Sequence, residues 1–136
     1  EPAILQHLES KAISAHRNTS FSPERRGESM IKEYSEELQE DINELKAENI
    51  SDEIIGDYKS RYEKYFSGYL HAKSNTFSVM ITGGSNFPVR RHEKANRSEQ
   101  RHYEIFREWR KRAKKAIVRK EKAPKTFLFF RSSLVS

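Results

Sequence analysis

The chain has no cysteine. That excludes disulfide bridges, thiolate nucleophiles and cysteine-ligated zinc. Hydrophobic residues are also sparse, at 35% against 34% charged, which supports one thin core between amphipathic helices but not a large interior. No apolar run approaches the ~20 residues a membrane-spanning helix needs. No signal-peptide pattern stands at the start. We therefore expect a cytoplasmic protein with no membrane partner. The phosphate-loop pattern, Gly-x-Gly-x-x-Gly after a strand, His-Glu-x-x-His and Gly-x-Ser-x-Gly are all missing, as is the calcium loop of the EF-hand. Zinc-finger spacing, a leucine zipper and an RRM signature are missing too. The five histidines are scattered; His92 beside Glu93 has the residue types for acid–base work, but adjacency alone does not make a site. These absences lead us to expect a non-enzyme without cofactor or metal. There is no repeat of about 20–50 residues and no low-complexity tract.

What is present is aromatic and charged. Eight Phe, six Tyr and one Trp make the chain too aromatic to be wholly disordered. The net charge of +6 is unevenly placed: residues 1–73 carry 10 Lys/Arg and 15 Asp/Glu, and residues 74–136 carry 16 and 5. A −5 half and a +11 half either present a basic surface to a nucleic acid or an acidic protein, or attract each other inside one molecule.

The apolar periodicity predicts a single all-α domain of three to four amphipathic helices in a small bundle. Residues 2–16 read as a short docked helix, and Ser22-Pro23-Glu24 starts a second that runs to about residue 48. Its apolar positions are Ile31, Tyr34, Leu38, Ile42 and Leu45. Its other face is densely acidic: Glu33, Glu36, Glu37, Glu40, Asp41, Glu44 and Glu48. Ser51 caps a third helix over 52–73, with Ile50 and Ile55 as a hydrophobic staple. Its tyrosine-rich stripe, from Ile55 to Leu70, spans an arc of about 140° and reads as core, with a base-stacking platform as the rival. The glycines at 56 and 68 suit close approach of a neighbour. A last helix over 98–122 places Ile105, Phe106, Trp109 and Ile117 on one face and basic residues on the other. The expected core is Ile31, Tyr34, Leu38, Ile42, Ile55, Tyr62, Phe66, Tyr69, Ile105, Phe106, Trp109 and Ile117. His102 falls on the apolar side, where a buried, hydrogen-bonded histidine is expected. Residues 76–81 and 126–130 are β-branched or aromatic; they suit a minor β pairing, and 126–130 equally suits a groove plug or an apolar tail.

Between the halves lies Gly83-Gly84-Ser85-Asn86-Phe87-Pro88, followed by Arg90 and Arg91. A glycine turn exposes backbone N–H groups, a helix start adds a positive dipole end, and two guanidiniums add charge; together they suit a phosphate. The alternative is a plain connection between helices with Phe87 in the core. The second candidate is a basic face made of Arg107, Arg110, Lys111, Lys114 and Lys115, joined by Arg90, Arg91 and Lys94, which suits a DNA or RNA backbone. Its rival is a protein-interaction or scaffold module whose basic face pairs internally or with an acidic partner. Exposure of Lys111, Lys114 and Lys115 favours the first; cover by Glu36, Glu40 and Glu44 favours the second.

The stretch from Met80 to Asn96, through Thr82-Gly83-Gly84, Asn86-Phe87-Pro88, Arg90-Arg91 and Glu93-Lys94, resembles a segment of uncharacterised phage and integrative mobile-element proteins. There a Thr-Gly turn, a Phe, an arginine pair and a Glu-Lys step precede a basic, aromatic helix. The resemblance covers about residues 76–120 and departs at Gly84, where that family has Pro or Ala. It implies a mobile-element setting, in which DNA and RNA partners are common, and carries no activity.

Overall fold

The computed structural model describes residues 2–76 and 89–122. A 3-10 turn, Gln6–Leu8, leads into α1 (Glu9–His16), followed by α2 (Pro23–Ala47), α3 (Asp52–Ser74) and α4 (Val89–Glu121). No strand occurs among the described residues. The pairing of 76–81 with 126–130 falls almost wholly outside them, and Thr76, the one described member, is not in a strand. No described helix is long and apolar enough to cross a membrane.

The second and third helices begin and end close to where their caps place them. Pro23 opens α2, but the Ser22 hydroxyl makes no capping bond; the Ser22 amide instead donates to Ser20 Oγ at 3.0 Å. At the other end, Asn49 takes φ 61°. The Ile50 amide reaches Leu45 O at 3.1 Å and the Asn49 amide reaches Lys46 O at 3.0 Å, the paired bonds that close a helix at a left-handed residue. Ile50 is buried there, and Ser51 Oγ accepts from the Ile54 amide. The turn thus satisfies both helix ends while tucking one isoleucine between them, which sets α2 and α3 antiparallel.

Each further helix packs on this hairpin. Leu5 N donates to Ser35 Oγ at 3.1 Å, and Ile13 meets Gly27, so α1 runs antiparallel to α2. A Cβ at Gly27 would lie 2.6 Å from Ile13 Cγ1 and 2.7 Å from its backbone N. Gly27 is therefore the contact point of two backbones, whereas Gly56 faces open space and a Cβ at Gly68 would meet only His102, at an ordinary 3.8 Å. Gly27→Ala gains about 1 kcal/mol in helix propensity but forces apart backbone that cannot rotate away. We expect a net loss of about 1–3 kcal/mol, read as a lower urea midpoint with unchanged slope.

The fourth helix lies antiparallel to α3. Trp109 stacks on Tyr58 and Tyr65 with centroids 5.1 and 4.8 Å away, Phe106 meets Tyr62 edge-on at 5.0 Å, and Tyr103 contacts Tyr69 at 5.3 Å. The tyrosine stripe of α3 is core: Tyr58, Tyr62 and Tyr69 are buried. Burial comes first in holding all three hydroxyls protonated, with Tyr69 pushed up to about 12. Leu5, Leu8, Ala12 and Ala15 join the core from the N-terminal segment.

Three expectations need correction. The fourth helix does not restart at residue 98; it is continuous over 33 residues from Val89. Ile105 is 40% exposed, because at 100° per residue it lies about 100° from Phe106, off the buried arc. His102 is exposed, its Nδ1 2.8 Å from Ser98 O. The buried histidine is His16, whose Nδ1–H donates to Ala12 O at 2.9 Å.

Candidate nucleic-acid interface

Most cations of α4 fall into two populations, and the division follows from which side of the helix each occupies. One population faces α2, which runs parallel to α4. Arg107 makes a two-pronged pair with Glu37 at 2.8 and 2.5 Å. Arg110 grips Asp41 with Nε and Nη2, both at 2.8 Å. Lys114 bridges Asp41 at 2.9 Å and Glu44 at 3.1 Å. Lys122 pairs with Glu48 further along. The rungs climb α2 and α4 in step, since spacings of 3 and 4 keep both sets of side chains on facing sides.

Asp41 is the centre of this ladder. It has no exposed side-chain surface and also accepts from the Tyr58 hydroxyl at 2.6 Å. Burial pulls its carboxyl pKa upward, but the hydrogen bonds from Arg110, Tyr58 and Lys114 outweigh burial and hold it below the ordinary value. Glu37 additionally takes the Tyr62 hydroxyl at 2.8 Å. Glu37's hydrogen bonds raise the Arg107 pKa, and those of Asp41 raise that of Arg110. The Arg107 guanidinium also lies 5.2 Å from the Phe106 ring centroid, within cation–π range. Phosphate contact by these cations would require breaking two-pronged pairs that are partly withdrawn from water.

The second population faces away. Arg90, Lys94, Arg97, Arg101, Arg112, Lys115 and Arg119 are all exposed. At 100° per residue they fall within about 60° of one another. None of the seven forms an ion pair among the described residues. The side opposite Phe106 is thus a basic stripe along nearly the whole helix, with Glu104 and Glu108 near its middle. Over Val89–Glu121 the helix carries 13 Lys/Arg and 5 Glu, a net +8.

Of the residues the sequence singles out, Arg90, Lys94 and Lys115 lie on this stripe. Lys111 is exposed at its edge and Arg91 is exposed about 100° from Arg90 around the helix. Arg107, Arg110 and Lys114 belong to the ladder instead. Gly83, Gly84, Ser85 and Asn86 lie outside the described residues, as does Phe87. The cover expected from Glu36, Glu40 and Glu44 arrives mostly one residue later, from Glu37, Asp41 and Glu44. Sequence reasoning left Arg97, Arg101, Arg112 and Arg119 out of the candidate site. The recurring 3–4 spacing from Arg90 would have joined them, had the helix not been divided at residue 98. His92 sits in the first turns of α4, where the Asn96 side-chain amide lies 2.9 Å from its Nε2. Among the described residues no three His, Asp or Glu side chains are grouped to hold a metal ion.

The ladder and the buried histidine make stability depend on pH in two windows. Burial is the main cause that lowers the His16 pKa below 6.5, assisted by Lys73 and Arg26 and opposed by the bond to Ala12 O and by Glu99. The unfolded chain therefore binds the extra proton first as pH falls, and stability declines from about pH 6.5 downward. Asp41, with its pKa below 3.8, contributes stability that persists above the unfolded value and is lost as pH falls through the folded one. Urea midpoints across the acid range should show both steps, and His16→Gln should remove the upper one.

Comparison of the chain with protein families, curated proteins and solved structures found no match.

Proposed function

We propose that the protein is a non-enzymatic module that binds the phosphate backbone of a nucleic acid through the outer face of α4, in the cytoplasm. The observation that carries this reading is the stripe: seven exposed cations on one side of one helix, unpaired within the described residues while their neighbours on the inner side are paired. The carboxylates of α2 account for the inner cations and leave the outer charge uncompensated. A mobile-element setting rests on the resemblance of residues 76–120 alone. The internal ladder supports a second reading, a helical scaffold whose two halves neutralise each other.

Titrating the protein against labelled DNA and RNA at two salt concentrations separates the readings. Under the first, log K falls linearly with log salt, by about 0.9 per phosphate contact on duplex DNA. The variant Arg97→Glu/Arg101→Glu/Lys115→Glu/Arg119→Glu should then lose most of its affinity and of the slope while keeping its helical signal. Binding that survives all four substitutions with an unchanged slope, or no binding at low salt by the intact chain, favours the scaffold.

A further inference from the structure

If the outer face of α4 binds nucleic acid, its layout narrows the partner, and we infer that the partner is duplex DNA at least one helical turn long, held at two separated points. The stripe is not uniform. Arg90, Lys94, Arg97 and Arg101 form one cluster; Arg112, Lys115 and Arg119 form another. At 1.5 Å per residue the cluster centres lie about 30 Å apart along a straight helix. One turn of the double helix is about 34 Å. A rigid helix lying along the duplex therefore sets its two clusters on backbone ridges about one turn apart. Glu104 and Glu108 fall between them and interrupt the positive charge, so the ridge of the other strand that crosses between is left without a cationic contact. Had α4 entered a groove at its middle, those two carboxylates would face the backbone there.

Single strands are disfavoured by a separate observation. Proteins that hold them without sequence preference add aromatic stacking platforms to their charge. Here the aromatic side chains of α3 and α4 are largely committed to the core or to its edge. The exposed ring on α4, Tyr103, contacts Tyr69 and lies about 120° or more around the helix from the stripe. Among the described residues no exposed ring of α4 lies on the stripe to stack on a flexible strand, whereas a duplex presents both phosphate ridges already in place.

The test uses the whole chain and fluorescence anisotropy at low salt. The probes are DNA duplexes of about 8 and about 16 base pairs, below and above one turn, and a single strand as long as the larger one. Affinity should rise at least about tenfold from the short to the long duplex, more than the added number of positions explains. The long duplex should also outcompete the single strand. Arg97→Glu/Arg101→Glu and Lys115→Glu/Arg119→Glu should each remove about 1.8 from the salt slope on the long duplex and abolish the length advantage, with helical signal and Trp109 emission unchanged. Equal affinity for the two duplexes, or a single strand bound as tightly as the long duplex, overturns the two-point contact and leaves backbone binding standing. Failure to bind any of the three probes removes the functional reading as well.

Discussion

Replacing Asp41 with alanine is expected to destabilise the fold by about 3–5 kcal/mol, the usual loss when one partner of a buried ionic group is removed. The reason is what remains rather than what is lost. Arg110 and Lys114 are only 22% and 20% exposed, and both direct their charge at a carboxylate with no exposed surface. Without it, Arg110 keeps only its 3.3 Å contact to Glu37 and Lys114 only its bond to Glu44, the two cations share a site mostly withdrawn from water, and the Tyr58 hydroxyl loses its acceptor. Asp41→Asn keeps an acceptor for Tyr58 but turns an amide toward the cations, so it should recover little. Replacing all three charged groups, as Asp41→Leu/Arg110→Met/Lys114→Met, should recover most of the loss, because similar ionic clusters can be exchanged for apolar packing, and leave chiefly the cost of about 1–3 kcal/mol for the unpaired Tyr58 hydroxyl. Urea unfolding of the three variants measures this. A loss below about 1 kcal/mol for Asp41→Ala would put the ladder in the class of surface ion pairs.

The ladder also shows where sequence reading stops. The apolar stripes of α2 and α3, the helix start at Pro23, the cap at Ser51 and the core role of the tyrosines were legible, because each is set by residues a few positions apart on one helix. Which carboxylates meet which cations was not. That pairing depends on the relative shift of α2 and α4, whose interacting residues lie about 70 positions apart in the chain. A displacement of one residue exchanges Glu36 and Glu40 for Glu37 and Asp41. One local clue existed. On the α2 wheel Asp41 lies about 20° beyond Tyr34, at the border between the apolar arc and the acidic face, and an acid in such a place calls for a partner. The apparent restart at residue 98 misled for a similar reason. Ser98-Glu99 has the look of a cap, but the Lys73–Glu99 pair at 2.8 Å and the Tyr69–Tyr103 contact hold the chain against α3 as one continuous helix. Dividing it there separated Arg90, Lys94 and Arg97 from Arg101 and the cations beyond, and so concealed the stripe.

Trp109→Ala is the second substitution expected to have a large effect, about 3–5 kcal/mol, or about 10–20 °C in Tm for a domain of this size. Only Phe106 and Trp109 of α4 are buried. A helix so polar is held by few apolar contacts, and Trp109 makes the broadest of them, lying against Tyr58, Tyr65 and the edge of Tyr62. Tyr58 is shared with the ladder through its bond to Asp41, so the aromatic layer and the ionic rungs support each other. Trp109→Ala and Asp41→Ala should therefore combine to less than the sum of their separate losses. Hydrogen exchange should show protection falling first along α4, while the α2–α3 hairpin with α1 stays more protected. Uniform loss over all four helices would make the bundle one cooperative unit with no weaker attachment. The basic stripe lies on the opposite side of α4 from Phe106, so loosening the helix leaves its charge intact but removes the fixed spacing between clusters. Under the two-point reading, a folded Trp109→Ala protein should thus lose its preference for long duplexes before it loses its affinity for phosphate.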